Sequence, residues 1–599
     1  MLDRLAGLET EYAIRFAEAD CRTGESRFGL YQRLTERLRQ VIPLARAYHF
    51  KDGWFLANGG AVWFEADRPA SGAGLVEVST PECRGPEKLL CYQRALDVLV
   101  SRAASSSAGA GPFWLVKNDR DGAGHVYGAQ ENYEVPIADG AALWLWRIGL
   151  VSLLPLVVVS WLGFYLLVGL LLVYLAVAGL LFLCIHRWIP DRRWFAALLF
   201  GRDLAEGRDS GSPTPPWMEW LVLNATRVLS LPLALALWGL CSWVAFRRAR
   251  RALTPFLMSR FLLGGAGYVR RDGRFALADK ADAFNCVVGF GGYCSDRPIY
   301  TMGHFFKALC AETLFGIRHY WGLFAPRQRL QIALGDSNMC EYAEYLKVGT
   351  TLLVLDAWEA GYLKSVPSLA APLKVLRSWV ADPTLSSRAR TKDGQTVTAL
   401  DVQWHYYEAC RKYVAANVDA SPEAQRLLDR WHEVLRMLAD YQQRASRGEK
   451  LAQAARPLVG VLDWPTKLYL LDQLGPTASW LEKKKIDIRY HELSEEGYYQ
   501  RLAACGLVRR LVSDAELDRA MRVPPPDSPA TRRGHLIREF SEGDEPLRVH
   551  WRCVILGTGR RRRVIPLASQ SRRGRMVAQA ERPTGRPFEL FPGSDDAAG

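Results

Sequence analysis

The first apolar and polar positions alternate strictly. In "LAGLETEYAIRF" (5–16), Leu8, Thr10 and Tyr12 share one side of an extended chain, and Glu9 and Glu11 share the other, so a strand is predicted. "GGAVWFEAD" (59–67) and "LQIALGD" (330–336) alternate in the same way. Helical spacing governs "YLKVGTTLLVLDAWEAG" (345–361) and "EAQRLLDRWHEVLRMLADYQQRA" (423–445). Alternation and helical faces both vanish in two runs. Ile148 to Ile185 holds 38 residues without a formal charge, and Val228 to Phe246 holds 19. About 20 apolar residues cross a bilayer, so both runs are expected to be membrane segments. The longer one would measure roughly 57 Å as one helix, nearly twice the hydrocarbon thickness, which predicts a hairpin turning near "WLGFY" (161–165). Arg147 and Arg187 would then lie on the inner side, in line with the positive-inside rule. Arg227 precedes the second run and "RRARR" (247–251) follows it. If the chain before and after this region forms one domain, the crossings must be even in number. A hairpin plus a re-entrant second run satisfies this, and so do two single crossings with residues 186–227 outside.

Composition adds limits. At 599 residues there is room for two to four domains, and the net charge of +14 is concentrated in Arg clusters such as "GRRRR" (559–563). The 12 cysteines include no CxxC pair, so neither a zinc ribbon nor a disulfide framework is indicated, and reduced thiols in a cytoplasmic setting are expected. "MLDRLAGLETEY" lacks the apolar core of a signal peptide. The basic stretch 557–576 is read first as a solvated tail, then as a contact for anionic lipid ahead of nucleic acid, and no nucleic-acid partner is expected. Residues 571–599 read as a flexible tail. Trp144, Trp146, Trp188, Trp194, Trp217, Trp220, Trp238 and Trp243 cluster in and around the apolar region, as expected of interfacial anchors.

Candidate chemistry is carboxylate-rich. Glu65, Asp67, Glu77 and Glu82 fall within eighteen residues, and two more acids sit in the first strand. Without a His/Cys cluster, such a set suits a hard divalent ion such as Mg²⁺ better than zinc. A cation between Glu9 and Glu77 would also relieve like-charge repulsion on one strand face. Asp336, Ser337 and Asn338 follow a strand where a helix N-terminus is expected.

Several blocks occur in one fixed order: "GLETEYAI", "NG…E…EVSTPEC", "KNDRDGAGHVYGAQENY", "LTPFLMSRFLLGGAGYV", "GDSNMCEYAEYLKVGTTLLVL", "LDWPTKLYLLD", "PPPDSPATRRGHLIREF" and "VHWRCVIL". In this the chain resembles the Pup ligases and Pup deamidase/depupylases, glutamine-synthetase-like carboxylate–amine ligases, over most of residues 1–137 and 252–560. The resemblance implies an α+β fold, with an antiparallel sheet cradle, helices behind it and a small C-terminal domain. Expected boundaries are 1–137 and 252–480 for the catalytic domain, 481–570 for the C-terminal domain and 571–599 for the tail. Residues 138–251 form a helical transmembrane insertion. It further implies ATP and Mg²⁺ on the sheet and a Pup-like protein whose terminal glutamate is phosphorylated and then joined to a lysine of an acceptor protein. Proteasome-related machinery and a bilayer are further partners. The setting implied is a bacterial-type inner membrane, with the catalytic part facing the cytoplasm.

By position, Glu9 and Glu77, with Glu11 on the same strand, resemble metal ligands, and Thr80 and Trp551 resemble nucleotide contacts. Glu65 falls where the family has a catalytic aspartate, and Asp67 is its possible substitute. The chain also departs from that pattern. Ala61 stands for an ATP-contacting Arg, Trp63 for a Tyr and Gln130 for a His. Residues 300–330 match no family block; Arg318, Arg327 and Arg329 are candidate replacement cations there. Only 45 residues separate Tyr12 from Asn58, closer to the ligase than to the loop-bearing hydrolase, whereas "LDWPTKLYLLD" is closer to the hydrolase. The ligase is therefore expected. A hydrolase on the same fold and a catalytically weak nucleotide- or Pup-binding adaptor are the alternatives.

Overall fold

The computed structural model describes residues 1–15, 26–49, 51–65, 74–106, 113–122, 124–201, 215–289, 296–310, 318–417, 421–559 and 562–567. Asp67 and the tail 571–599 lie outside them.

Fourteen strands form one sheet: β1 (Leu5–Arg15), β2 (Leu44–Ala47), β3 (Gly53–Leu56), β4 (Ala61–Glu65), β5 (Leu75–Ser79), β6 (Cys83–Arg84), β7 (Trp114–Val116), β8 (Gln130–Pro136), β9 (Cys286–Val288), β10 (Pro298–Thr301), β11 (Arg327–Ile332), β12 (Leu547–His550), β13 (Cys553–Leu556) and β14 (Arg563–Pro566). The main path runs β9-β10-β11-β8-β1-β5-β4-β3-β2-β12-β13-β14, and β6 and β7 also pair with β1. Pairing is antiparallel except between β9 and β10 and between β2 and β12. The last three strands thus join the sheet begun at residue 5. β1 alternates as its sequence requires, with Leu8, Thr10 and Tyr12 buried and Glu9 and Glu11 on the more open side.

Helices α1 (Arg27–Val41) and α2 (Pro86–Ser105) cover the apolar side. The helical reading 423–445 falls within Pro422–Ser446, and 345–361 overlaps Glu341–Glu359 but overruns its end by two residues. The helix after β11 starts at Glu341, later than Asp336–Asn338 would place it. Those three side chains cap nothing. Asp336 accepts from the backbone N–H groups of Ala266, Asp279 and Lys280. Ser337 donates to Asp119, and Asn338 donates to Asp463 and to the Gly264 carbonyl. A buried segment with so many backbone amides needs acceptors, and Asp336 supplies them.

The expected turn at 161–165 is absent. α3 (Gly140–Ile185) is one helix of 46 residues, about 69 Å long. α4 (Arg192–Phe200) follows, and α5 (Pro216–Trp243) returns along α3. The pairing is antiparallel: Gly149 faces Leu240, Gly163 faces Leu229, and the rings of Tyr174 and Trp217 lie 5.8 Å apart. A Cβ on Gly163 would meet Leu229 at 2.2 Å, so this glycine serves as a notch for close helix packing rather than as a turn. Both helices are long and apolar enough to cross a membrane.

The root of this hairpin belongs to the body. Trp146, Leu150, Leu153 and Val157 are buried, while later residues of α3 such as Val158, Leu162 and Leu183 are exposed. The Trp146 indole donates to the Leu323 carbonyl at 2.9 Å and packs 5.1 Å from the Phe305 ring, so Trp146 is a root residue and no interfacial anchor. Tyr320 donates to the Leu150 carbonyl, Arg147 to the Phe324 carbonyl, and Phe246 lies 6.2 Å from Phe305. The unmatched segment 300–330 is thus the seat of the hairpin, through α7 (Gly303–Cys310) and α8 (Arg318–Gly322), with α6 (Arg247–Ser259) leaving it. Trp146→Phe is expected to lower stability by about 1–2 kcal/mol, because the Leu323 carbonyl loses its donor in a dry contact; chemical denaturation in detergent measures it.

Candidate functional site

Register assembles the site. Gly53, Trp63, Glu77 and Glu11 are Cα partners across β3, β4, β5 and β1. The next row on the same face is Phe55, Ala61, Ser79, Glu9 and Gln130. Glu65 lies one side-chain period beyond Trp63 on β4, on that face. Four carboxylates from three strands therefore share one surface, as the alternation in each strand requires.

Their partners come from the protein itself. The Lys51 ammonium pairs with Glu65 and lies 3.3 Å from Glu77. Glu9 accepts from Gln331 at 3.1 Å and from Arg329 at 3.5 Å, and Glu11 accepts from the Gly128 N–H at 2.8 Å. Burial pushes the Glu77 carboxyl up to about 8; Lys51 opposes this, while Glu9, Glu65 and Glu11 add to it. Burial likewise raises Glu11, against the Gly128 N–H and Lys280. Burial lowers Lys51, but Glu77 and Glu65 outweigh it and hold the ammonium above the usual lysine range. Lys307 on α7 adds a further cation. It keeps access to solvent, yet the protein around it, and then Lys51 and Arg329, lower its pKa against Glu9 and Glu65.

The sequence expects a cation between Glu9 and Glu77; the protein charges that stand beside these two acids are Lys51, at Glu77, and Arg329, at Glu9. All-oxygen donors suit Mg²⁺ in type. As placed they do not fit it, because each carboxylate already has a protein donor, and among the described residues no three acids, histidines or cysteines form a metal-binding group.

Thr80 lies beside this face: a Cβ on Gly7, which shares the side of Glu9 and Glu11, would stand 3.6 Å from its hydroxyl oxygen. It is buried, and its hydroxyl accepts from the Leu8 N–H at 2.9 Å, tying the end of β5 to β1. Trp551 is half-buried, with its ring 4.9 Å from Phe55 and the Arg533 guanidinium 4.7 Å from it. Arg533 also pairs with Glu82 and donates to the Gly59 carbonyl, so the end of the face near buried Ala61 is closed by packing. Gln130 accepts from Gln331, which also holds Glu9. Of the three arginines in the unmatched segment, Arg329 reaches the acids. Arg327 pairs with Glu134 and Glu359 instead, and the side chain of Arg318 lies outside the described residues.

Trp63 explains a glycine. Its ring lies over Gly53, where a Cβ would come within 2.1 Å, and it packs 5.5 Å from Phe55 and 5.2 Å from His49. Gly53→Ala is expected to cost about 1–3 kcal/mol by driving the indole out of its slot; a thermal melt shows the loss.

Sequence reasoning missed Lys51, Lys307 and Gln331. Lys51 had one signal, a lone cation in the turn between two apolar strands. Lys307 and Gln331 lie in or beside the unmatched segment and had none. The motif residues Lys117, Asp119 and Glu131 serve the scaffold: Lys117 pairs with Asp97, Asp119 receives Ser337, and Glu131 pairs with Arg260.

A family profile described as Pup-ligase protein matches residues 4–555. A depupylase of Acidothermus cellulolyticus is 34% identical over 317 residues, which cover 51% of this chain and 57% of the relative. A Pup–protein ligase of Xylanimonas cellulosilytica is 31% identical, covering 51% and 64%, and one of Acidimicrobium ferrooxidans is 30% identical, covering 54% and 68%. The chain thus spans about 57–64% of the length of the first two. In fold, it is similar to the ligase PafA in a complex with the prokaryotic ubiquitin-like protein Pup (TM-score 0.60, 20% identity, 97% of this chain and 92% of that one). A PafA structure with ADP gives a TM-score of 0.56 at 20% identity, over 89% and 90%.

Proposed function

The chain belongs to the Pup-ligase protein family, and on that premise we propose that it is a membrane-seated, ATP-dependent ligase. It joins the terminal glutamate of a Pup-like tail to a lysine amine of an acceptor protein. The observation that carries this reading is the register that brings Glu9, Glu65 and Glu77 to one face of β1, β4 and β5, beside cations from Lys51, Lys307 and Arg329. In the reaction, the tail carboxylate attacks the γ-phosphorus of ATP, giving an acyl phosphate and ADP. The amine then attacks the acyl carbon, phosphate leaves, and the amine proton passes to the Glu65 carboxylate. Lys51 shows that this carboxylate receives an ammonium within hydrogen-bond reach. Arg329 and Lys307 offset charge on the transferring phosphoryl group in place of the arginine lost at Ala61. Magnesium, when bound with the triphosphate, would neutralise phosphate charge; no resident ion is assigned to the protein.

The hairpin of α3 and α5 crosses the membrane twice and returns the chain to one side. The body would then face the cytoplasm of a bacterial-type inner membrane, with proteasome-related machinery downstream. Flotation of the full chain with membranes tests the first point.

A second reading is favoured by the 34% identity to a depupylase: hydrolysis of the same bond on the same face. One experiment separates the two. Detergent-solubilised protein is given ATP, Mg²⁺, a peptide ending in Gly-Gly-Glu and an amine acceptor. One ADP per peptide–amine adduct supports the ligase. Cleavage of a preformed adduct without net ADP supports the hydrolase and removes the ligase.

A further inference from the structure

The four carboxylates on this face are already held by protein donors, and the interval between Glu65 and Glu77 contains the Lys51 ammonium. Lys51 sits in the turn between β2 and β3, where its backbone N–H bonds to the His49 ring. A side chain on a turn can leave without breaking a sheet ladder. With Lys307, Arg329 and Lys280, the acids of this face already have several protein cations around them before any ligand arrives. A divalent ion added between the same oxygens would place two more positive charges beside an ammonium in a shielded cleft, so ion and ammonium cannot share it.

We propose that Lys51 is a built-in counter-cation, which occupies the Glu65–Glu77 interval in the nucleotide-free protein and keeps a divalent ion out of it. A nucleotide reverses the balance. Its phosphates add several negative charges, give Lys51 a second place to go, and make room for the ion that travels with them. Divalent-ion uptake is therefore conditional on nucleotide, and by linkage the ion tightens the nucleotide in return. The consequence for turnover rests on the ligase reading; the metal uptake itself does not.

The test uses the full chain in detergent, free of nucleotide, titrated with Mn²⁺ and followed by the electron paramagnetic resonance of the free ion. Wild type is expected to take up Mn²⁺ at least about tenfold more weakly than Lys51→Met. Lys51→Arg, which keeps the cation, should behave as wild type. Adding Glu77→Gln to Lys51→Met should abolish the gain, and a non-hydrolysable ATP analogue should raise wild-type Mn²⁺ uptake beyond what the analogue binds in a protein-free control. Should Lys51→Met fail to fold, Lys51→Gln carries the same comparison. Equal uptake by wild type and the neutral variant, whether both bind or neither does, overturns the proposal. If the metal results hold but no adduct forms in the coupling assay, the ligase reading fails and this one stands.

Discussion

Glu65→Gln is expected to slow amine coupling by about 10²–10⁴-fold, while nucleotide uptake stays near the wild-type level. The amide keeps the shape of the side chain and the strand pairing of Glu65 with Leu75, but it cannot accept the proton that the attacking amine must lose. Lys51 retains Glu77 at 3.3 Å, so the local charge pair survives in part. Initial rates of adduct formation at saturating ATP, set beside an ATP titration of the same variant, separate chemistry from binding. Unchanged turnover would take Glu65 out of the mechanism. Asp67, two residues on and outside the described residues, would then be examined as Asp67→Asn.

Arg260→Ala is expected to destabilise the fold by about 3–5 kcal/mol. Arg260 and Glu131 have side chains only 3% and 1% exposed, and they form a bidentate pair at 2.6 and 2.7 Å. The same guanidinium donates to the carbonyls of Lys347 and Leu334 and to Thr351, so one side chain joins α6, β8, the β11 exit and α9 (Glu341–Glu359). Removing it leaves the buried Glu131 anion with the Tyr133 hydroxyl in place of a countercharge and takes a donor from the Leu334 carbonyl. The double variant Arg260→Met, Glu131→Gln should recover part of the loss, because no bare charge then remains. Denaturant melts of the three proteins measure both terms. A single variant that melts as wild type would contradict this account of the core.

The strand Leu5–Arg15 and the helix Pro422–Ser446 were legible because one buried face imposes a period on each, whereas the helix Glu341–Glu359 is buried on every side and was legible by its apolar length. The ordered blocks made the family legible. What stayed hidden depends on contacts between distant segments. The apolar run 148–185 carries no mark that distinguishes one long helix from two short ones. What decides is the notch at Gly163 and the root at Trp146, each read only against its partner. A motif position fixes a residue type but not the protein partners of its side chain: the Thr80 hydroxyl also accepts the Leu8 N–H. Asp336 looked like a cap for the same reason. The acid cluster was visible as a set of carboxylates, yet its counter-charges arise at residues 51, 307 and 329, from a turn, a helix and a strand that no spacing rule connects.

The central claim is that this acid-lined sheet face is a nucleotide-fed reaction centre. Isothermal titration of the intact, detergent-solubilised chain with ATP and Mg²⁺ tests it most directly. The account predicts saturable uptake of one nucleotide per chain, weakened when Arg329 or Lys307 is changed to Ala. No binding heat from a folded preparation, or uptake indifferent to both substitutions, would contradict it.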